Sequence, residues 1–215
     1  MAPFGFLGLH ENMVDGTVLF IRISFLWRKF LLSLQKILEQ VMNRKLLNIE
    51  LGRVSPDEYR NLPESGLAVV LDNVRSAHNV GSAFRSSDSF KVDKVCLCGI
   101  CAVPPSAEIH KSALGAESSV AWEHFDDTMD AVRKLRSEGY VIVSVEQTVA
   151  SVRLDSFVPD PAVKYALIFG NEVSGISQEV VDASDLSIEI PQYGTKHSLN
   201  VSVSVGIILW AFHRG

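Results

Sequence analysis

No phosphate-cradling glycine loop of the usual kinds is written in this chain of 215 residues. Neither G-x-G-x-x-G after a strand pattern nor G-x-x-x-x-G-K-[ST] occurs, which argues against a dinucleotide fold and a P-loop. The G-x-S-x-G of a hydrolase elbow is missing, and no H-E-x-x-H pairs two histidines for zinc. Cysteine is scarce. Cys96, Cys98 and Cys101 are an odd, closely spaced set, which fits a reducing compartment better than a disulfide framework. Excess positive charge is lacking too: a net charge of −5 argues against coating nucleic acid nonspecifically, while leaving room for a local basic site. There is no internal repeat, no low-complexity tract and no charge run long enough to mark a tail.

What is present suits a globular protein. Hydrophobic residues make up 47% and charged residues 21%, a balance that does not favour disorder. The length suits one domain, or one domain with an extension, and is sufficient to bury a core. Residues 1–41 read as such an extension. Its run from Val18 to Trp27 is broken by Arg22 and followed by Arg28 and Lys29. A membrane-crossing helix needs about twenty mostly uncharged apolar residues, and a signal peptide carries its positive charge ahead of the apolar stretch. Neither pattern fits, so no membrane partner is expected and a cytoplasmic location is. Met42-Asn43-Arg44-Lys45 opens a conventional sequence, which makes Met42 an alternative natural start and residues 1–41 dispensable.

The cysteines pose a second choice. Cys-x-Cys-x-x-Cys with His110 as a fourth ligand is one metal-binding reading. The other is that Lys94 to Ile100 forms a buried strand in which cysteine serves as a small hydrophobe. Zinc sites usually separate two ligand pairs, so the core reading is favoured and no metal is expected.

From residue 42 onward the pattern is regular. Leu46, Leu47, Ile49 and Leu51 give an amphipathic start, and Ser55-Pro56-Asp57-Glu58 is a helix entry with proline at the first helical position. Strands are predicted at 67–71, 94–100, 140–145, 164–169 and 187–190. Helices are predicted at 79–90, 106–115, 126–138, 176–183 and 199–213. Such alternation implies an α/β fold, a mostly parallel sheet with helices on both faces. It would occupy 66–215, with 42–65 as a short lead-in.

Three apolar runs in this pattern end at loops rich in backbone donors and small polar side chains. The first is followed by Asn79-Val80-Gly81-Ser82-Ala83-Phe84-Arg85. The second ends in Phe169-Gly170-Asn171-Glu172 with Gly175, and the third in Gly194 and Ser198-Leu199-Asn200-Val201-Ser202. Strand ends of an open α/β sheet are where ligands bind, although Gly170 and Gly194 also fit ordinary turns.

In this order the three segments resemble motifs 1, 2 and 3 of the SpoU (TrmH-type) RNA ribose 2′-O-methyltransferases of the SPOUT superfamily. Pro104 to Ala116 is similar to that family's middle region, and the resemblance covers 66–213. It implies a C-terminal trefoil knot that forms a pocket for S-adenosyl-L-methionine. Gly170 and the backbone of Ile190 and Leu199 would surround this cofactor, with Val145 contributing from the side. The family would place Arg85 at the ribose hydroxyl. A guanidinium is a poor base, so positioning and polarising the ribose–phosphate is the role that chemistry favours. Asn79 would hold Arg85 or the ribose, Glu172 would orient these groups, and Ser198 with Asn200 would bind phosphate. Simpler readings stand beside these: a surface arginine, a solvated carboxylate, and Ser198 as a helix N-cap.

The resemblance also implies a homodimer. The pattern 199–213 is apolar almost all round, as a buried helix is, and part of that burial would lie against a second subunit. Arg75, His78, Arg85, Lys111, Lys196 and His197 could then assemble a basic patch for RNA, either tRNA or rRNA. Residues 42–66 are too few for a separate RNA-binding domain, which slightly favours a tRNA. The competing reading is a non-catalytic RNA-binding or assembly protein that keeps the pocket.

Overall fold

The computed structural model describes residues 16–42 and 44–213. Residues 1–15 and Asn43, parts of the extension and of the alternative start, lie outside the described residues, as do 214–215. The chain divides into two units, Met1–Arg53 and Val54–Gly215. The first unit contains a long helix, α1 (Gly16–Met42), on which Trp27 and Phe30 meet edge-on at 6.1 Å. Among the described residues no helix is long and apolar enough to cross a membrane.

The amphipathic start expected at Leu46, Leu47, Ile49 and Leu51 does not become an α-helix. Only a 3-10 turn forms, Asn48–Leu51, and all four side chains are exposed. The cause is local. Glu50 is held by Arg44 and accepts from the Leu47 N–H at 2.7 Å, and Gly52 then turns left-handed at φ 59°. A turn closed at both ends has nothing to propagate.

In the second unit α2 (Pro56–Arg60) begins where its entry signal predicts. Ser55 Oγ accepts from the Glu58 N–H at 3.3 Å, and the Glu58 carboxylate accepts from the Ser55 N–H at 2.8 Å. There follow β1 (Leu67–Asp72), α3 (Ala77–Ser89), β2 (Lys94–Cys98), α4 (Ala107–Ala113), α5 (Ala116–Ser119) and β3 (Ala121–Phe125). The second half runs α6 (Thr128–Ser137), β4 (Tyr140–Val145), β5 (Val152–Arg153), β6 (Lys164–Phe169), α7 (Gln178–Ala183), β7 (Leu186–Glu189) and α8 (Val201–His213). One 7-stranded sheet results, in the order β3-β2-β1-β6-β4-β7-β5. Every pair in it is parallel.

The sheet is buried on both faces, which explains why its central strands read as continuous apolar runs and not as alternations. One face packs Leu67, Val69, Leu71, Leu167 and Phe169 against α3, α4 and α8 through Phe84, Ile109, Ile208 and Leu209. The other packs Ala68, Val70, Ala166 and Ile168 against α6 and α7 through Val132, Leu135 and Val180. Fully buried side chains of this size each contribute about 2 kcal/mol.

Two strands were invisible to periodicity. β3 is a half-exposed edge strand, Ala-Trp-Glu-His-Phe, with no apolar run, and β5 is two residues long. The strand expected at 94–100 stops at Cys98, because Gly99 turns at φ 60° and a Cβ there would strike the Asn73 side chain. The cysteines are core residues, as the small-hydrophobe reading expects. Cys96 and Cys98 belong to the layer under α6, and Cys101 to the opposite layer. Burial pushes the Cys96 thiol up to about 12 and the Cys101 thiol up to about 11, so neither is poised as a thiolate ligand.

Candidate functional site

Parallel strands bring all their carboxyl ends to one edge of the sheet, and β6, β4 and β7 are neighbours there. Gly170 follows β6, Val145 ends β4 and Ile190 follows β7. Three of the four cofactor candidates therefore stand side by side. Leu199, the fourth, lies in the loop between β7 and α8 and is 38% exposed. That loop is unusually free: among the described residues, the backbone of 191–199 makes one hydrogen bond, from Gln147 Nε2 to the His197 carbonyl at 2.9 Å. Unspent backbone donors beside apolar side chains suit an adenine-like ligand, which needs a flat apolar slot and main-chain hydrogen bonds.

Gly170 is not an ordinary turn glycine. A Cβ on it would run into the backbone of Gly175 and Ile176, because residues 171–175 fold back on the strand end. Asn171 and Gly175 exchange two backbone hydrogen bonds of 3.0 Å to make that return. Asn171 Nδ2 also donates to the Asn73 carbonyl at 2.7 Å. Gly194 has open space around it, and nothing in the structure demands glycine there. Glu146, which sequence reading missed, accepts from the Ile176 N–H at 3.1 Å and fixes the return from below. Its only signal was a carboxylate directly after a strand end.

The returned loop presents Glu172 to the start of α3. Its carboxylate accepts from Asn79 Nδ2 at 2.9 Å, from the Arg75 N–H at 3.0 Å and from the Ser76 N–H at 3.1 Å. Burial pushes the Glu172 carboxyl up, but the donors of Arg75, Asn79 and Ser76 outweigh it and hold the group below the usual glutamate value. An anion is also favoured there by the helix dipole. Asn79 is spent on both sides, since its Oδ1 accepts from Asn200 Nδ2 at 3.2 Å. Asn79, Glu172 and Asn200, residues up to 121 positions apart, thus form one hydrogen-bonded line across all three motif segments. Asn79 bonds these two and not Arg85.

The cap of α8 is a correction. Ser198 was the candidate N-cap, and the helix was expected from Leu199. The structure starts it at Val201, and Asn200 Oδ1 accepts from the Ser202 N–H at 2.9 Å. Ser198 is exposed, with no hydrogen-bond partner among the described residues.

Arg85 stands apart from that line. Six residues on from Asn79, an α-helix has turned about 240° and risen about 9 Å, so the two side chains leave α3 in different directions. Arg85 lines an open groove of about 560 Å³ with His78, Ser82, Ser89, Phe90 and Lys111. The groove exists because α3 and α4 touch closely. A Cβ on Gly81 would collide with Ser112 and the Ile109 carbonyl, which accounts for the glycine in the first motif by packing alone.

Charge is segregated around this region. In the second unit Arg60, Lys94, Arg133, Lys134, Arg136, Arg153 and Lys164 form ion pairs. Lys91 lies over the Tyr59 ring. Arg75, Arg85, Lys111 and Lys196 have exposed side chains with no partner among the described residues. All four belong to the predicted basic patch, but the groove gathers only Arg85 and Lys111, with His78. The structure does not place Lys196 and His197 in it.

The last helix is buried only in part within the single chain. Val205, Ile208, Leu209 and Phe212 are buried, while Val203, Ile207 and Trp210 are exposed. Phe90 of the groove rim meets Trp210 edge-on at 6.2 Å.

The described residues thus form a parallel α/β sheet with cross-braced strand-end loops, and a groove that holds the unpaired Arg85 and Lys111. The chain belongs to the SpoU rRNA Methylase family, whose sequence profile matches residues 66–210. It is 35% identical over 158 residues to the 23S rRNA (guanosine-2′-O-)-methyltransferase RlmB of Nitrosomonas europaea, covering 74% of this chain and 60% of that one. It is 32% identical over 152 residues to the tRNA (guanosine(18)-2′-O)-methyltransferase of Aquifex aeolicus, covering 70% of each. The crystal structure of an AdoMet-bound rRNA methyltransferase from Sinorhizobium meliloti matches with a TM-score of 0.65 at 28% identity, over 75% of this chain and 61% of that one. The chain spans 60% of the length of the RlmB relatives it matches.

Proposed function

We propose that the protein transfers a methyl group from S-adenosyl-L-methionine to a ribose 2′-hydroxyl of tRNA or rRNA. The observation that carries this reading is the line Asn79–Glu172–Asn200, which ties the three motif segments together at the strand ends. Val145, Gly170, Ile190 and Leu199 would hold the cofactor, using the unspent backbone of 191–199 for its adenine. Once bound, the cofactor supplies a methyl group already activated by its sulfonium. What remains for the chain's own residues is to align the hydroxyl and to manage charge and one proton. Arg85, charged and unpaired at the groove, positions and polarises the ribose–phosphate. Asn79, Glu172 and Asn200 hold the motif loops in register. Ser198, exposed beside the α8 N-terminus, is free to bind phosphate, which that helix end favours.

The exposed stripe Val203, Ile207 and Trp210 supports a homodimer, since these residues recur at helical spacing on one side of α8 and would be covered by a second copy. A dimer would also place two grooves on one surface, enough to grip RNA without a separate binding domain. The trefoil knot and a cytoplasmic location belong to the same proposal. The unit from Val54 onward is taken to carry the reaction, with residues 1–41 dispensable.

The deciding experiment maps ribose methylation in total RNA from cells with and without the protein. A nucleotide that loses its methyl group names the substrate. Unchanged methylation, with RNA binding intact, would leave a binding or assembly protein. Calorimetry with S-adenosyl-L-methionine checks the pocket independently.

A further inference from the structure

The loop between β7 and α8 carries one large side chain that neither the fold nor the reaction accounts for. Tyr193 is 87% exposed, yet it is not loose. Its hydroxyl accepts from Arg153 Nη2 at 3.1 Å. Arg153 is itself gripped by Asp155 through two hydrogen bonds, Nε to Oδ1 at 3.1 Å and Nη2 to Oδ2 at 2.7 Å. Arg153 ends β5, which pairs with β7 in the sheet, and Asp155 lies in the 3-10 turn that follows, Leu154–Ser156. Four residues further on, Gln147 holds the His197 carbonyl. The loop is thus pinned at two points while its backbone is otherwise unbonded, and the ring is anchored at its tip with its flat faces left to solvent.

A single exposed aromatic residue needs no explanation by itself. This one differs in its anchoring and in its company. Lys196, one of the four unpaired cations of the unit, lies three residues on, and Ser198, Leu199 and Asn200 of the candidate site follow directly. An aromatic face and an unpaired cation on one loop are the combination that takes an unstacked base and its phosphate.

We propose that Tyr193 is a stacking platform for an unpaired base of the RNA, at or next to the reacting ribose. Arg153 acts as a positioning residue that sets the ring, and Lys196 meets the phosphate. The proposal rests on the RNA-methyltransferase reading and adds to it a requirement: the target nucleotide is presented unstacked and not within a duplex.

The test uses the full chain and RNA isolated from cells lacking the protein. Tyr193→Ala weakens RNA binding about tenfold, the scale of one lost base–aromatic stack, and this loss exceeds any change in S-adenosyl-L-methionine affinity, which Tyr193→Phe, lacking the same tether, shares. Tyr193→Phe keeps the ring without its tether and stays within about threefold of the wild type. Tyr193→Trp retains binding, and its added fluorescence, read against the Tyr193→Phe protein, is quenched when RNA is bound. Unchanged RNA affinity in Tyr193→Ala, or an unquenched indole in Tyr193→Trp, overturns the proposal. So does a loss confined to the cofactor or to the oligomeric state, or a wild type that binds no RNA. A wild type that binds RNA and transfers no methyl group overturns the enzyme reading alone, and the fluorescence result still decides the platform.

Discussion

The two helix layers that cover this sheet bury similar aliphatic side chains and use charge in opposite ways. On the layer of α6 and α7 the cations are neutralised at home: Arg133 pairs with Asp130, Lys134 with Glu123 and Arg136 with Asp185. On the layer of α3, α4 and α8, Arg85 and Lys111 are left unpaired in a groove with serine hydroxyls, and Arg75, just ahead of α3, is unpaired among the described residues. Exposed pairs of the first kind add little to stability and mainly keep a surface soluble. On the proposed reading, the unpaired cations of this otherwise acidic protein are places kept for anions. The difference teaches that the net charge of the chain says little about its partners, since what matters is which cations remain unmatched.

The largest expected effect contrasts one arginine from each layer. Arg85→Ala lowers methyl transfer by about a hundredfold or more, the usual loss when a charged group at the reacting atoms is removed, and leaves cofactor affinity unchanged by calorimetry. Arg133→Ala leaves the rate where it was. Equal effects at the two positions would erase the distinction between the layers.

Next comes the hydrogen-bonded line. Asn79 is 8% exposed and bonds both Glu172 and Asn200. Asn79→Ala should cost about 2 kcal/mol, measured as a lower urea midpoint, because one of the lost bonds goes to a charged group. The line also has a pH signature. Glu172 is held below its usual value in the folded protein, so its stabilisation is complete above the ordinary glutamate value. It is lost as pH falls through the lowered folded value. Glu172→Gln should therefore be less stable than the wild type at neutral pH, and the gap should close in acid. A constant gap would mean that the carboxylate is not what the loop depends on.

Smaller effects concern salt. If the unpaired cations meet phosphates, removing Arg75, Lys111 or Lys196 singly should reduce the slope of log affinity against log salt by about 0.7 to 0.9. Lys134→Ala, on the opposite layer, should leave the slope unchanged and the melting temperature nearly so.

Much of the fold was legible because the central strands are short unbroken apolar runs bounded by turns. The limits of 140–145 and 164–169 are those observed, as is the proline-led entry of α2. Edges were not legible. β3 is half in solvent and carries Trp122, Glu123 and His124, so no apolar pattern betrays it. The start of α8 was misplaced because serine and asparagine are both good caps, and the bond from Ser202 to Asn200 decided between them. Residues 46–51 looked amphipathic because four apolar residues in six fit a helix as well as a turn.

The sequence by itself determined the layered parallel architecture and the identity of the three motif segments, because apolar runs, glycine punctuation and capping residues act over a few neighbours. It could not say that Gly170 is demanded by the return of Gly175 and Ile176, or Gly81 by the approach of Ser112. Nor could it say that Asn79 spends its amide on Glu172 and Asn200 while Arg85 faces a groove with Lys111. Those facts depend on which segments meet, across 93 and 121 residues of chain for Asn79 and across shorter stretches at the two glycines, and only the packed structure, by closing those distances, decides them.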